Sequence, residues 1–121
     1  MIPTTLVIGA SAALREAGIA AALEPGLTSA VILEGLPDGK SASALPPATA
    51  TQQIVRIAPG CICCTGSLTM RVTLNRVLRS RPQRLFISLA DASHLVEIRR
   101  FLSTAPYQQL LTLTEDMRVP S

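Results

Sequence analysis

The chain has 121 residues, about one domain, with 48% hydrophobic, 16% charged and 2% aromatic side chains and a mean hydropathy of +0.39. That balance excludes disordered, collagenous and coiled-coil chains, and it demands an aliphatic core, because there is no Trp, one Tyr and two Phe. Eleven basic residues against eight acidic ones give a formal charge of +3, with Lys40 the single lysine. Arg71, Arg76, Arg79, Arg81 and Arg84 follow one another without an intervening acid. They are read as a solvated helix face and loop, since no aromatics interleave as a nucleic-acid stripe would require; the alternative is a patch for phosphate, nucleic acid or an acidic partner.

Thr4-Thr5-Leu6-Val7-Ile8-Gly9 is a β-branched run closed by glycine and reads as a buried strand. Ser11 is placed to cap an Ala-rich helix over about 12–23 that carries Leu14, Ile19 and Leu23, and Pro25-Gly26 stops it. Ala30 to Leu33 is a second strand. Residues 35–52, rich in Gly, Pro, Ser and Ala, read as a long loop. Ile54 to Ile57 is a third strand that runs into Cys61-Ile62-Cys63-Cys64. Ser67 is the expected cap of a helix reaching about Arg79, and Leu85 to Leu89 is a fourth strand. Asp91 or Ser93 opens a helix to about Leu102, and Gln109 to Leu113 is a fifth strand.

Strand and helix alternate, and the apolar runs lack period-two alternation, so the strands are covered on both faces. The expected fold is α/β: a mostly parallel sheet of about five strands with helices on both faces, forming a single domain over residues 1–113. Residues 114–121 are expected to fray. Sites in such sheets form at the carboxyl ends of strands, where the cysteines follow the third strand. No run approaches the ~18 apolar residues of a membrane span, and no secretory leader is read.

Three cysteines in four positions cannot make a disulfide framework, which suggests a reduced, cytoplasmic protein. Thiolates favour zinc and similar soft ions. A tetrahedral ion on Cys61, Cys63 and Cys64 needs a fourth ligand, for which His94, Glu34, Asp38 and water are the candidates. Two other readings stand beside metal binding. The thiols are redox-active, or they are small buried hydrophobes. His94, the one histidine, reads more readily as a capping or surface residue than as a ligand.

Pro59-Gly60-Cys61-Ile62-Cys63-Cys64-Thr65-Gly66-Ser67-Leu68 closely resembles the Gly-Cys-x-Cys-Cys-Thr segment of the CobW-type GTPases, relatives of UreG and HypB that act in metal trafficking and metallocofactor assembly. The first strand resembles the one that leads to that family's phosphate loop. The arginine-bearing helix and Leu89-Ala90-Asp91 also resemble family elements, so the likeness spans about residues 2–113. It implies a P-loop-NTPase-like sandwich, a metal ion on Cys61, Cys63 and Cys64, and, as partners, a client metalloprotein or an intact relative.

The phosphate loop itself is absent. Gly-x4-Gly-Lys-Ser/Thr wraps phosphates with backbone N–H groups and neutralises them with lysine. After Gly9 the chain reads Ala10-Ser11-Ala12-Ala13-Leu14-Arg15-Glu16, with no second glycine and no lysine. Arg15 offers a charge but is read as one residue displaced from the lysine position. Ile87-Ser88-Leu89 lacks the acid expected near magnesium. Gly35 to Ser41 ends in Gly-Lys-Ser, but it is one residue short, and Ser-Ala-Leu-Pro-Pro follows where a helix should, so it reads as a turn. The function expected is therefore soft-metal binding for delivery, storage or sensing, without GTP or magnesium. GTP hydrolysis would require an altered phosphate loop using Arg15 or Lys40. Partners expected to be absent are membrane and nucleic acid.

Overall fold

Among the described residues, six strands, all paired in parallel, make one sheet in the order β3-β2-β4-β1-β5, with β6 continuing beyond β5 along the side of β1 away from β4. In chain order the elements are β1 (Ile2–Ile8), α1 (Ala12–Ala22), β2 (Ser29–Glu34), β3 (Gln52–Ile57), α2 (Thr65–Leu78), β4 (Arg84–Ser88), α3 (Leu95–Leu102), a 3₁₀ turn (Tyr107–Gln109), β5 (Leu111–Leu113) and β6 (Met117–Arg118). This computed structural model describes residues 2–9, 11–24, 26–34, 52–57, 65–89, 93, 95–104 and 106–119.

The α/β class with helices on both faces is as expected. Leu6, Ile8, Ala30, Ile32, Leu85 and Ile87 face α2 and α3, meeting Met70, Leu74, Val77, Ile98 and Leu102. Val7, Val31, Leu33 and Phe86 face the other way and meet Ile19 of α1. Both faces of β1, β2 and β4 are thus buried, which is why those runs read as continuously apolar. The layering follows from handedness. The β1-α1-β2 connection steps one way along the sheet; β3-α2-β4 and β4-α3-β5 step the other way. Right-handed crossovers then put α1 on one face and α2 and α3 on the opposite face. The direction reverses between the neighbours β1 and β4, so a crevice for a ligand belongs at their carboxyl ends.

Leu14 is 40% exposed, whereas Arg15, Glu16 and Ile19 are buried: α1 presents its 12/15/16/19/20/23 stripe, and Leu14 lies outside that phase. Two expectations are corrected. Ser67 is not a cap but lies within the first turn of α2, which starts at Thr65. Residues 114–121 do not simply fray, because Met117–Arg118 pairs with Val7–Ile8.

That last segment has a defined cause. β5 pairs Ile2 with Leu111 and Thr4 with Leu113, while β6 pairs Val7 with Met117. The offset grows by one residue between the two, so a bulge lies within 114–116. An extra residue inverts the side-chain parity. Leu111 and Leu113 pack on the α3 side, while Met117 and Val119 pack on the α1 side. The bulge is pinned by Thr5 Oγ1 and Thr114 Oγ1, 2.7 Å apart, and by the Arg99–Asp116 ion pair at 2.6 Å.

Candidate functional site

The carboxyl edge of the sheet carries two rows of side chains, one on each face. Parallel register sets Arg56 of β3, Leu33 of β2, Ser88 of β4 and Val7 of β1 in line on the α1 face. α1 lays two charged residues over this row. Arg15, only 3% exposed, donates from Nε to Ser88 Oγ at 2.8 Å and from a terminal nitrogen to the Gly9 carbonyl. Its guanidinium therefore ties the ends of β1 and β4 together at the point where strand order reverses. Glu16, also buried, accepts from Arg56 at 2.7 Å.

Counting from Gly9 corrects the placement of Arg15. In Gly-x4-Gly-Lys-Ser/Thr the lysine stands six residues after the first glycine, and here that residue is Arg15 itself. Leu14 takes the second-glycine slot and Glu16 the hydroxyl slot. A cation thus stands at the lysine position of that spacing, but it is turned inward onto protein oxygens. The N–H of Leu14, at the start of α1, donates to Ser11 Oγ at 3.3 Å, so a donor that an anion would use has an internal acceptor. Val119 closes the same region from the tail. Its N–H donates to the Ile8 carbonyl at 3.0 Å. A Cβ built on Gly9 would overlap its Cγ2, and one on Gly18 would stand 2.9 Å from its Cγ1.

The second row lies on the α2 face. It runs from Ile57 through Glu34 to Leu89 and Ile8. Glu34 ends β2 directly beside Ile57, is 4% exposed, and is engaged by a neighbouring group. The chain leaves β3 at Ile57 and enters α2 at Thr65, and Cys61, Cys63 and Cys64 fall between these two elements in sequence. The three cysteines lie outside the described residues, as do Asp38, Lys40, Asp91, His94 and the Gly35–Ser41 turn. Of the expected fourth-ligand side chains, Glu34 is the one among the described residues. Among those residues, no three His, Cys, Asp or Glu side chains form a metal-holding group.

Sequence reasoning missed the Ser88, Glu16 and Arg56 partnership. One signal was present: adjacent opposite charges in an Ala-rich helix, whose two neighbours at the strand ends are a serine and an arginine. Among the described residues no helix is long and apolar enough to cross a membrane. Comparison with protein-family models, with curated proteins and with solved structures finds no match.

Proposed function

We propose that this domain binds a soft divalent ion, zinc or a similar metal, through Cys61, Cys63 and Cys64, and that it does so without GTP or magnesium. The observation that carries the reading is where the cysteines enter the fold. In sequence they lie between the carboxyl end of β3 and the start of α2, and the carboxyl edge of an α/β sheet is where ligands are held. Glu34 sits beside the departure point on the same face and is the natural fourth donor; a metal would compete with its present partner. Three thiolates and a carboxylate make a donor set that suits tetrahedral zinc.

The resemblance of the cysteine segment to that of CobW-type proteins supports the same reading and extends it to metal delivery, storage or sensing in the cytoplasm, with a client metalloprotein or an intact relative as partner. The Arg15 contacts support the loss of nucleotide. A guanidinium already satisfied by Gly9 and Ser88 must break those bonds to meet a phosphate.

The test is a zinc titration of the fully reduced chain beside a Cys61→Ser, Cys63→Ser variant and Glu34→Gln. Stoichiometric binding with proton release, lost in the cysteine variant, is expected. Weakened binding in Glu34→Gln identifies the fourth ligand. Equal binding by the wild type and the cysteine variant refutes the proposal.

A further inference from the structure

α2 carries a second candidate surface, far in character from the cysteines. Met70, Thr73, Leu74 and Val77 are buried, while Arg71, Val72, Asn75, Arg76 and Arg79 are exposed. At about 100° per residue the exposed set covers an arc of about 140°, with Arg79 near its centre. Arg81 adds a fourth exposed guanidinium just past the helix end. Arg84, half-buried, is not part of this face: it stacks over Phe86 at 4.8 Å and lies 3.8 Å from Glu24.

Three features distinguish this face from an ordinary solvated helix. It is unbalanced, because no acid occurs between residues 65 and 89. Among the described residues, none of Arg71, Arg76, Arg79 and Arg81 makes a salt bridge, although Arg56, Arg84 and Arg99 all do. Its flank is held in place: Arg71 lies 5.8 Å over the Phe101 ring, and Asn75 accepts from the Tyr107 hydroxyl at 3.1 Å. Groups already held lose less freedom when they bind. Arg81 also occupies the left-handed region at φ 51, a conformation that favours glycine.

The geometry points to this face as a docking surface for an acidic protein segment, an amphipathic helix with carboxylates on one side. Charge complementarity selects the sign of the partner. Guanidinium forks match carboxylates in bidentate pairs. From Arg71 to Arg79 the face runs about 12 Å, roughly two helical turns of a partner. Val72, 58% exposed in the middle of it, offers an apolar contact that a phosphate backbone does not use. Four cations without interleaved aromatics also make a weak nucleic-acid site.

The experiment measures fluorescence anisotropy of a labelled helical peptide that presents glutamates at i, i+4 and i+7 around one leucine. The full chain is compared with Arg76→Glu, Arg79→Glu and with two single variants, Arg79→Glu and Arg118→Glu, which change net charge equally. A thymidine oligonucleotide of similar charge is the competing probe. All the substituted arginines are exposed, and circular dichroism confirms that each variant is folded. Wild type is expected to bind the peptide, the double variant at least ~10-fold more weakly, and Arg118→Glu within about twofold of wild type. The proposal is overturned if wild type ignores the peptide, if Arg118→Glu weakens binding as much as Arg79→Glu, or if the oligonucleotide binds more tightly than the peptide.

Discussion

Replacing Gly18 by alanine should change sign with the residue at position 119. Gly18 lies inside α1, where glycine costs about 1 kcal/mol relative to alanine. In an unobstructed helix Gly18→Ala would therefore stabilise by about that amount. Here the new methyl would stand 2.9 Å from Val119 Cγ1 and 3.3 Å from Met117 Sδ. The methionine can swing aside; the valine is held by its N–H bond to Ile8 and by its fit against Gly9. Overpacking of this kind costs about 1–3 kcal/mol. The two effects leave Gly18→Ala neutral to about 2 kcal/mol destabilising. Val119→Ala removes both γ-methyls at a cost of about 1 kcal/mol, since the site is half-buried. In that background Gly18→Ala should stabilise by about 1 kcal/mol, a coupling of about 1–3 kcal/mol between the two positions. Urea unfolding of the four proteins, followed by circular dichroism, closes the cycle. A stabilising Gly18→Ala in both backgrounds would refute the packing of β6 onto α1.

Two further outcomes follow from the polar contacts. Arg56→Met removes the 2.7 Å partner of a buried carboxylate. It should lower stability by about 1–2 kcal/mol, a value discounted because Arg56 is one-third exposed; an unchanged urea midpoint would show that the pair contributes nothing. Burial raises the pKa of Tyr107 above its ordinary 10, with Arg71 opposing. The unfolded chain then releases this proton first, so the contribution is complete below about pH 10 and lost as pH rises through the raised value. Tyr107→Phe should cost about 0.5–1.5 kcal/mol at neutral pH through the lost bond to Asn75. That gap should narrow above pH ~10, and a gap that stays constant from about pH 8 to 11 would contradict the assignment.

Much of the architecture was legible because its signals are local. Leu6-Val7-Ile8 and Val31-Ile32-Leu33 are apolar on both parities, which only a strand covered on two faces requires, and Ser11 does cap α1. The phase of α1 was less legible. Burial of Arg15 and Glu16 fixes the stripe that leaves Leu14 exposed, and a charged pair gains burial only through Ser88 and Arg56, distant in sequence. β6 was illegible for a similar reason. Met117 and Val119 look like tail residues until a one-residue bulge turns them toward Gly9 and Gly18, and both the bulge and the glycines are needed to see it. Of the candidate site, the cysteine motif was visible as spacing. Glu34 was one carboxylate among several until strand register set it next to Ile57, the last residue of β3.

The order of the sheet also has a consequence for synthesis. β1 is made before all of its partners, β4, β5 and β6, which come much later in the sequence. Eighty residues separate Ile8 from Ser88. At about 5–20 residues per second, roughly 4–16 s pass between completion of β1 and completion of its first neighbour. Among the described residues, only β2 and β3 are consecutive strands that pair with each other. During that interval Leu6, Val7 and Ile8, among the most buried side chains of the finished domain, have no strand beside them. During synthesis β1 is therefore the strand most exposed to unwanted strand pairing.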